Sequence, residues 1–275
     1  MSETGWDLAL TTPDRVVQDY PNILEDLAAL KWAVLVVRGF YSPEHRREVV
    51  TRIQNDREGL VAIKEFSNAA GEKLQLRYIG PGLGQYVNDR EGFFRESRLA
   101  DAKFERLYSG LPDPRKMVRD LLGRLLPGRQ VIVAEEDGVP YGDAVVRTMT
   151  EGDPSALHRD SAMTYFNGWM VSQFPTQFSA LVSFQMPDSG GELSVFRQRW
   201  VPEDDVERAE GTTGYAESVV AGADVCTFRP EEGDLYIFHP EIFHDISPVV
   251  GSRDRINQGI FIATSSTDNR VVTWG

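Results

Sequence analysis

From about residue 130 onward the chain is written in short apolar runs cut by Gly, Pro and Asp. They are QVIVAEE, DAVVRTMTE, FSALVSFQM, GELSVFRQRW, DVCTFRP, DLYIF, NQGIFIATS and NRVVTW. Runs of this length, rich in Val, Ile, Phe and Thr, read as strands, and roughly eight at such spacing predict an antiparallel sandwich or jelly roll. Helical segments do not alternate with them, so a doubly wound sheet or an α/β barrel is not expected.

The earlier half has a different period. Thr12 before Pro13 is a helix start signal, and Val16, Val17, Leu24, Leu27 and Leu30 repeat on one face, with a break at Pro21. WAVLVVRGF (32–40) reads as a buried strand. Ser42–Pro43–Glu44 opens a helix to about Asn55, and RKMVRDLLGRLL (115–126) is another amphipathic helix. The expected architecture is mainly β. A helical N-terminal layer (about 1–128) packs on a double-stranded β-helix (about 129–275) within one domain, 1–275. The stretch 57–130 is less legible.

Composition narrows the chemistry. A net charge of −13 disfavours nucleic acid and anionic membrane surfaces as partners, since both need a basic face. Cys226 is the only cysteine, so any metal must rely on imidazole and carboxylate; Cys226 itself reads as a core residue of DVCTF. MSETGWDLAL lacks a basic-then-apolar leader pattern, and no apolar run reaches the ~18 residues of a membrane span, so a cytoplasmic location is expected. Oligomeric state is not legible.

The candidate chemistry centres on SALHRDSAMTYFNGW (155–169). His158 and Asp160 are two apart, and on extended backbone they point the same way and can face one ion. The bland alternative is a polar turn capped by Asp160. Imidazole plus carboxylate suits a divalent iron, which would need a further His. His45 lies in an early helix without a metal partner nearby, whereas His239 and His244 both fall within FHPEIFHDISPV. Arg255 follows His244 by eleven residues and can grip a carboxylate through two parallel hydrogen bonds. Asn257 shares its strand face, and Arg253 is the neighbouring alternative.

The order HxD, His, Arg resembles that of the iron(II)/2-oxoglutarate-dependent dioxygenases. The segments YPNILEDL, VLVVRGF, VVRTMTEGDPSALHRD, GGELSVFRQRW, EEGDLYIF, GIFIA and RVVTWG resemble those of the freestanding aliphatic halogenases of welwitindolinone and ambiguine biosynthesis. They are also similar to the N-substituted amino-acid hydroxylases. The likeness covers most of the chain, best from about residue 143. It implies His158, Asp160 and His244 as iron ligands, with His239 exposed or outside the ligand set. It implies Arg255 as the clamp on 2-oxoglutarate, assisted by Arg147, and O2 as the oxidant; Asn257, by its parity with Arg255, is a further candidate contact to the co-substrate.

One departure decides the expected reaction. The halogenases carry Gly where this chain has Asp160, and without a carboxylate a halide can bind there. The expectation is therefore a hydroxylase acting on an unactivated C–H of a small molecule, an amino-acid derivative or a specialised metabolite. Desaturation or cyclisation by the same chemistry is the alternative, and a non-catalytic cupin-like binding protein the alternative of another class. Tyr165, Phe166, Trp169 and Phe196 are candidate pocket aromatics, with core packing as the competing reading. IGPGLGQYVNDREGFF (79–94) is a candidate lid. PEDDVERAEG (202–211) reads as a solvated acidic loop.

Overall fold

The computed structural model describes residues 6–67, 73–153, 155–208 and 214–275. In chain order, the first half runs β1 (Leu8–Thr11), α1 (Val16–Asp19), α2 (Ile23–Ala28), β2 (Val34–Val37), α3 (Pro43–Asn55) and α4 (Arg57–Leu60). It continues with β3 (Ala62–Ser67), β4 (Lys73–Ile79), α5 (Arg90–Leu107) and α6 (Pro114–Leu125). The second half holds β5 (Gln130–Val133), β6 (Glu135–Glu136), β7 (Val139–Pro140), β8 (Val145–Met149), β9 (Ser155–His158) and the single-turn α7 (Ala162–Tyr165). It ends with β10 (Thr176–Gln185), β11 (Leu193–Arg199), β12 (Val225–Phe228), β13 (Leu235–Phe238), β14 (Ile242–Ile246), β15 (Arg255–Thr264) and β16 (Arg270–Trp274).

Two sheets form the body. The larger has ten strands, in the order β1-β2-β13-β10-β15-β8-β4-β3, with β16 joining β15 to β5. The smaller has the order β12-β11-β14-β9. Trp6, Val34, Val36, Leu193, Val195 and Cys226 are among the side chains that meet between the sheets. Cys226 is therefore the core residue expected of it. Alternation on the large sheet sends Leu235, Ile237, Ala180 and Ile262 to its other face. There they pack with Val49 and Ile53 of α3, Phe104 of α5 and Leu122 of α6.

The long helices begin where local chemistry says they should. The Ser42 hydroxyl accepts from His45 N–H with Pro43 at the first helical position, and Asp113 does the same for α6 ahead of Pro114. Asp89 caps α5 by accepting from Gly92 N–H at 2.9 Å.

The N-terminal part is not a purely helical layer. It supplies β1 and β2 to one edge of the large sheet and β4 and β3 to the other. The segment from Thr12 folds into two short helices separated by a turn, and Leu8–Thr11 pairs in parallel with Val34–Val37. A four-residue strand shows too little alternation to stand out beside apolar positions that also fit a helix. Among the described residues, no helix is long and apolar enough to cross a membrane.

Candidate metal centre and co-substrate pocket

Strand pairing builds the centre of the site. β9 and β14 are antiparallel neighbours, and His158 lies directly opposite His244 in their register. The two rings are 4.2 Å apart between centroids. Each ring is oriented by the backbone two residues before it. His158 Nδ1 is 2.7 Å from the Ala156 carbonyl oxygen, and His244 Nδ1 is 3.0 Å from that of Ile242. As donors, the Nδ1–H groups leave both Nε2 lone pairs free, the arrangement usual for metal-binding imidazoles.

Asp160 comes two residues after His158, just past the end of β9. Its Oδ2 lies 3.9 Å from His158 Nε2 and 3.7 Å from His244 Nε2. With metal–ligand bonds of about 2.1 Å, two donors on one ion are separated by no more than ~4.2 Å. Among the described residues these three side chains alone form a metal-competent group. His239, the competing histidine, is 3% exposed and has its Nδ1 3.1 Å from the Gln177 carbonyl oxygen, outside that group. His45 sits in the first turn of α3.

Burial lowers the His158 pKa to about 4, with the neighbouring His244 adding to the effect. Burial alone would raise Asp160, but His244, His158 and Arg147 outweigh it and hold the carboxyl at about 2. Near neutral pH the pair is thus a neutral imidazole and an ionised carboxylate, the forms in which both bind a divalent metal.

The cavity beyond these ligands runs between the two sheets. Arg147, Ser179, Tyr236 and Asn257 give it polar positions, and Leu181, Leu193 and Phe238 give it apolar walls. Arg147 on β8 faces Asn257 on β15 directly, and Asn257 faces Ser183 on β10. Arg255 has the same parity as Asn257 on β15, but unlike Asn257 it is not part of the cavity wall.

Arg255 is 2% exposed. Its guanidinium donates to the Tyr236 hydroxyl at 3.0 Å and contacts Met149 Sδ at 3.4 Å. No carboxylate pairs with it among the described residues, and its Nε has no partner. Ser183 Oγ and Asn257 Oδ1 are also buried and unpartnered. Buried polar atoms left open in this way are costly unless something fills them. The donor chemistry therefore fits both an iron(II) ion and an anionic carboxylate co-substrate.

Gly191 makes room for this arginine. Its φ is +74°, and a Cβ there would come 3.0 Å from Arg255 Cδ. Arg253, by contrast, is half-exposed and paired with Glu232 at 2.5 Å.

Residues 8–275 match the family model described as carrier-protein-independent halogenase WelO5. The chain belongs to that family.

A curated relative of this chain is the L-gamma-glutamyl-L-propargylglycine hydroxylase of Streptantibioticus cattleyicolor. It is 27% identical over 258 residues, covering 90% of this chain and 91% of the relative. The N-substituted L-amino acid dioxygenase from Burkholderia ambifaria shares the fold with a TM-score of 0.59 at 16% identity, covering 93% and 91% of the two chains. The epimerase SnoN from nogalamycin biosynthesis, solved with Fe3+ and alpha-ketoglutarate, shares it with a TM-score of 0.53 at 14% identity, covering 90% and 85%. This member of the halogenase family is an iron(II)- and 2-oxoglutarate-dependent dioxygenase.

The four candidate pocket aromatics are not in the cavity wall. Trp169 is buried among Phe93, Phe94 and Tyr141, with Phe166 packed on it. Phe196 follows the inward-facing Val195 and so points to the other face of β11, against a cluster with Phe243 and Tyr215. Tyr165 lies beside the guanidinium groups of Arg159 and Arg208. The sequence reading passed over Tyr236 and Gly191. Tyr236 had a signal, since it alternates with Phe238 on a strand whose inner face fills the sandwich. The 79–94 segment holds a short helical turn (Leu83–Tyr86), and a Cβ on Gly82 would come 4.0 Å from Arg147 Nη2.

Proposed function

We propose that the protein hydroxylates an unactivated C–H bond of a small amino-acid derivative. The observation that carries this reading is the Asp160 carboxylate, 3.9 and 3.7 Å from the two imidazoles, in a family described by its halogenases. When bound together, iron(II), 2-oxoglutarate and O2 supply C–H oxidation coupled to decarboxylation of 2-oxoglutarate to succinate.

The chain's own residues divide the remaining work. His158, Asp160 and His244 hold iron, and Asp160 fills the position that a halide would need. Arg255, positioned by the Tyr236 hydroxyl and fitted against Gly191, holds the distal carboxylate of 2-oxoglutarate. Asn257 and Arg147 offer further polar contacts to the same co-substrate, and the apolar wall of Leu181, Leu193 and Phe238 keeps water from the reacting end. Gly82, in the segment 79–94, lies near Arg147, which makes this segment the candidate to cover that side of the site.

The substrate class rests on the relatives. One is a hydroxylase of a glutamyl-propargylglycine and another a dioxygenase of N-substituted L-amino acids. The test is iron-dependent succinate release with a panel of N-acyl and γ-glutamyl amino acids, read with product mass. A gain of one oxygen supports hydroxylation, and a loss of two hydrogens indicates desaturation or ring closure. A halogenated product in the presence of chloride overturns the reading, and failure of every panel member to trigger succinate release removes the amino-acid assignment.

A further inference from the structure

We infer that Arg159 is a positioning residue for the metal centre, acting through the turn that carries Asp160. The inference rests on the reading that His158, Asp160 and His244 hold iron.

Asp160 lies beyond the last residue of β9, so no strand pairing fixes its side chain. Two other kinds of contact hold its turn. On one side, Asp160 N–H donates to the Pro240 carbonyl at 2.8 Å, and the Ser161 hydroxyl donates to Glu241 at 2.7 Å. On the other side stands Arg159. It alternates away from the cavity, and only 4% of it is exposed. Its guanidinium carbon sits 4.0 Å from the centre of the Trp200 ring and 5.3 Å from that of Tyr165. Its Nη2 donates to the Thr164 hydroxyl at 3.1 Å.

This is an expensive place for a cation. Arg159 Nε has no partner, and the carboxylates of Asp205 and Glu241 act on this guanidinium only electrostatically, without an ion pair among the described residues. A buried charge compensated in this partial way does not serve stability well, and an apolar side chain of the same volume would pack there at lower cost. What the guanidinium does supply is a flat, rigid plate between two rings. A lysine ammonium cannot reproduce that.

The stack also ties the turn to the rest of the centre. Trp200 follows β11, whose Val195 pairs with His244. The Trp200 indole N–H donates to Asp205 at 3.0 Å, and the Tyr215 hydroxyl donates to the same carboxylate oxygen at 2.8 Å. Tyr215 N–H in turn donates to the Leu157 carbonyl at 2.8 Å, next to His158. The path from Arg159 therefore closes on both sides of the ligand pair. The HxD spacing places two donors on one face, and the residue between them anchors the opposite face.

The test is anaerobic titration with Co(II) as the probe, read by visible absorption and by competition for affinity. It uses the full chain as wild type, Arg159→Met, Arg159→Lys, Trp200→Leu and His244→Ala. Wild type is expected to take one equivalent, and His244→Ala to lose it. Both Arg159 variants should bind about ten- to a hundred-fold more weakly, the usual cost of losing an outer partner of a metal ligand. Their cobalt bands should also shift, because the geometry at Asp160 changes; a loss of stability alone would not move the spectrum of the folded fraction. Trp200→Leu, which leaves the turn's own residues intact, should shift both in the same direction and decides the matter if the Arg159 variants do not fold. If wild type fails to bind, the iron assignment itself falls. If wild type binds and folded variants keep its affinity and spectrum, the role of Arg159 is overturned.

Discussion

His158 and His244 are register partners across β9 and β14, and each is oriented at Nδ1 by the carbonyl two residues before it. The Nε2 edges of both rings are thus set by the sheet itself and not by a flexible loop. Replacing either with Ala should weaken iron(II) binding by more than about a hundredfold, since loss of an outer partner alone costs 10- to 100-fold. Equilibrium dialysis with iron or cobalt measures this directly, and retention of one tight equivalent would remove that histidine from the ligand set.

Asp160→Gly should nearly abolish hydroxylation and leave a position open to halide. The expected signature is a chloride- or bromide-dependent change in the visible spectrum of the cobalt-loaded variant, absent from wild type. Unaltered hydroxylation in this variant would show that the carboxylate is not a ligand.

Arg255→Ala should raise the KM for 2-oxoglutarate about ten- to a hundred-fold, matching the ~1.5–3 kcal/mol of a charged hydrogen-bonded contact. Arg253→Ala, removing a half-exposed ion pair with Glu232, should change it little. Gly191→Ala should move KM in the same direction as Arg255→Ala, because the new methyl presses on the arginine's Cδ and the backbone there is left-handed. Steady-state kinetics in 2-oxoglutarate separates the three; an unchanged KM in Arg255→Ala would shift the clamp to Arg147.

His239 sets a pH dependence of stability. Burial lowers its pKa from 6.5 to about 4. The unfolded chain takes up a proton near pH 6.5 that the folded protein refuses until about pH 4. Stability therefore falls as pH drops through that window, by about 3 kcal/mol for a shift of this size. His239→Gln should lessen the loss between pH 7 and pH 4.5. Urea unfolding of both proteins at the two pH values checks it, and parallel losses would show that His239 is not responsible.

Much of this organisation was legible in the sequence, for identifiable reasons. FSALVSFQM and NQGIFIATS are long apolar runs because they are central strands covered on both faces, and such runs stand out. The i, i+2 spacing of His158 and Asp160 carried their convergence, and parity placed Asn257 beside Arg255. β14 was harder to see. IFHDI lies between Pro240 and Pro248, is polar in its second half, and takes its strand character from β11 and β9 on either side. The aromatic candidates failed because proximity in sequence to a ligand says nothing about which face a side chain takes; Phe196 is one residue out of phase with the inner face. Arg159 was hidden for the same reason. Its partner Trp200 is far along the chain, and only the folded sandwich brings the two rings around it.

His158 and His244 rise from the four-stranded sheet and Arg255 from the ten-stranded one. On the assignment proposed above, one co-substrate molecule must touch both. The opening between the sheets is then a caliper, and its setting belongs to the filling between them, where Leu193 meets Val36, Phe228 and Tyr236. On that assignment, preference for a five-carbon keto diacid over its four- or six-carbon homologue would follow from sandwich thickness. A substitution in that filling such as Leu193→Ala would then change the choice of keto-acid co-substrate without touching a single polar contact.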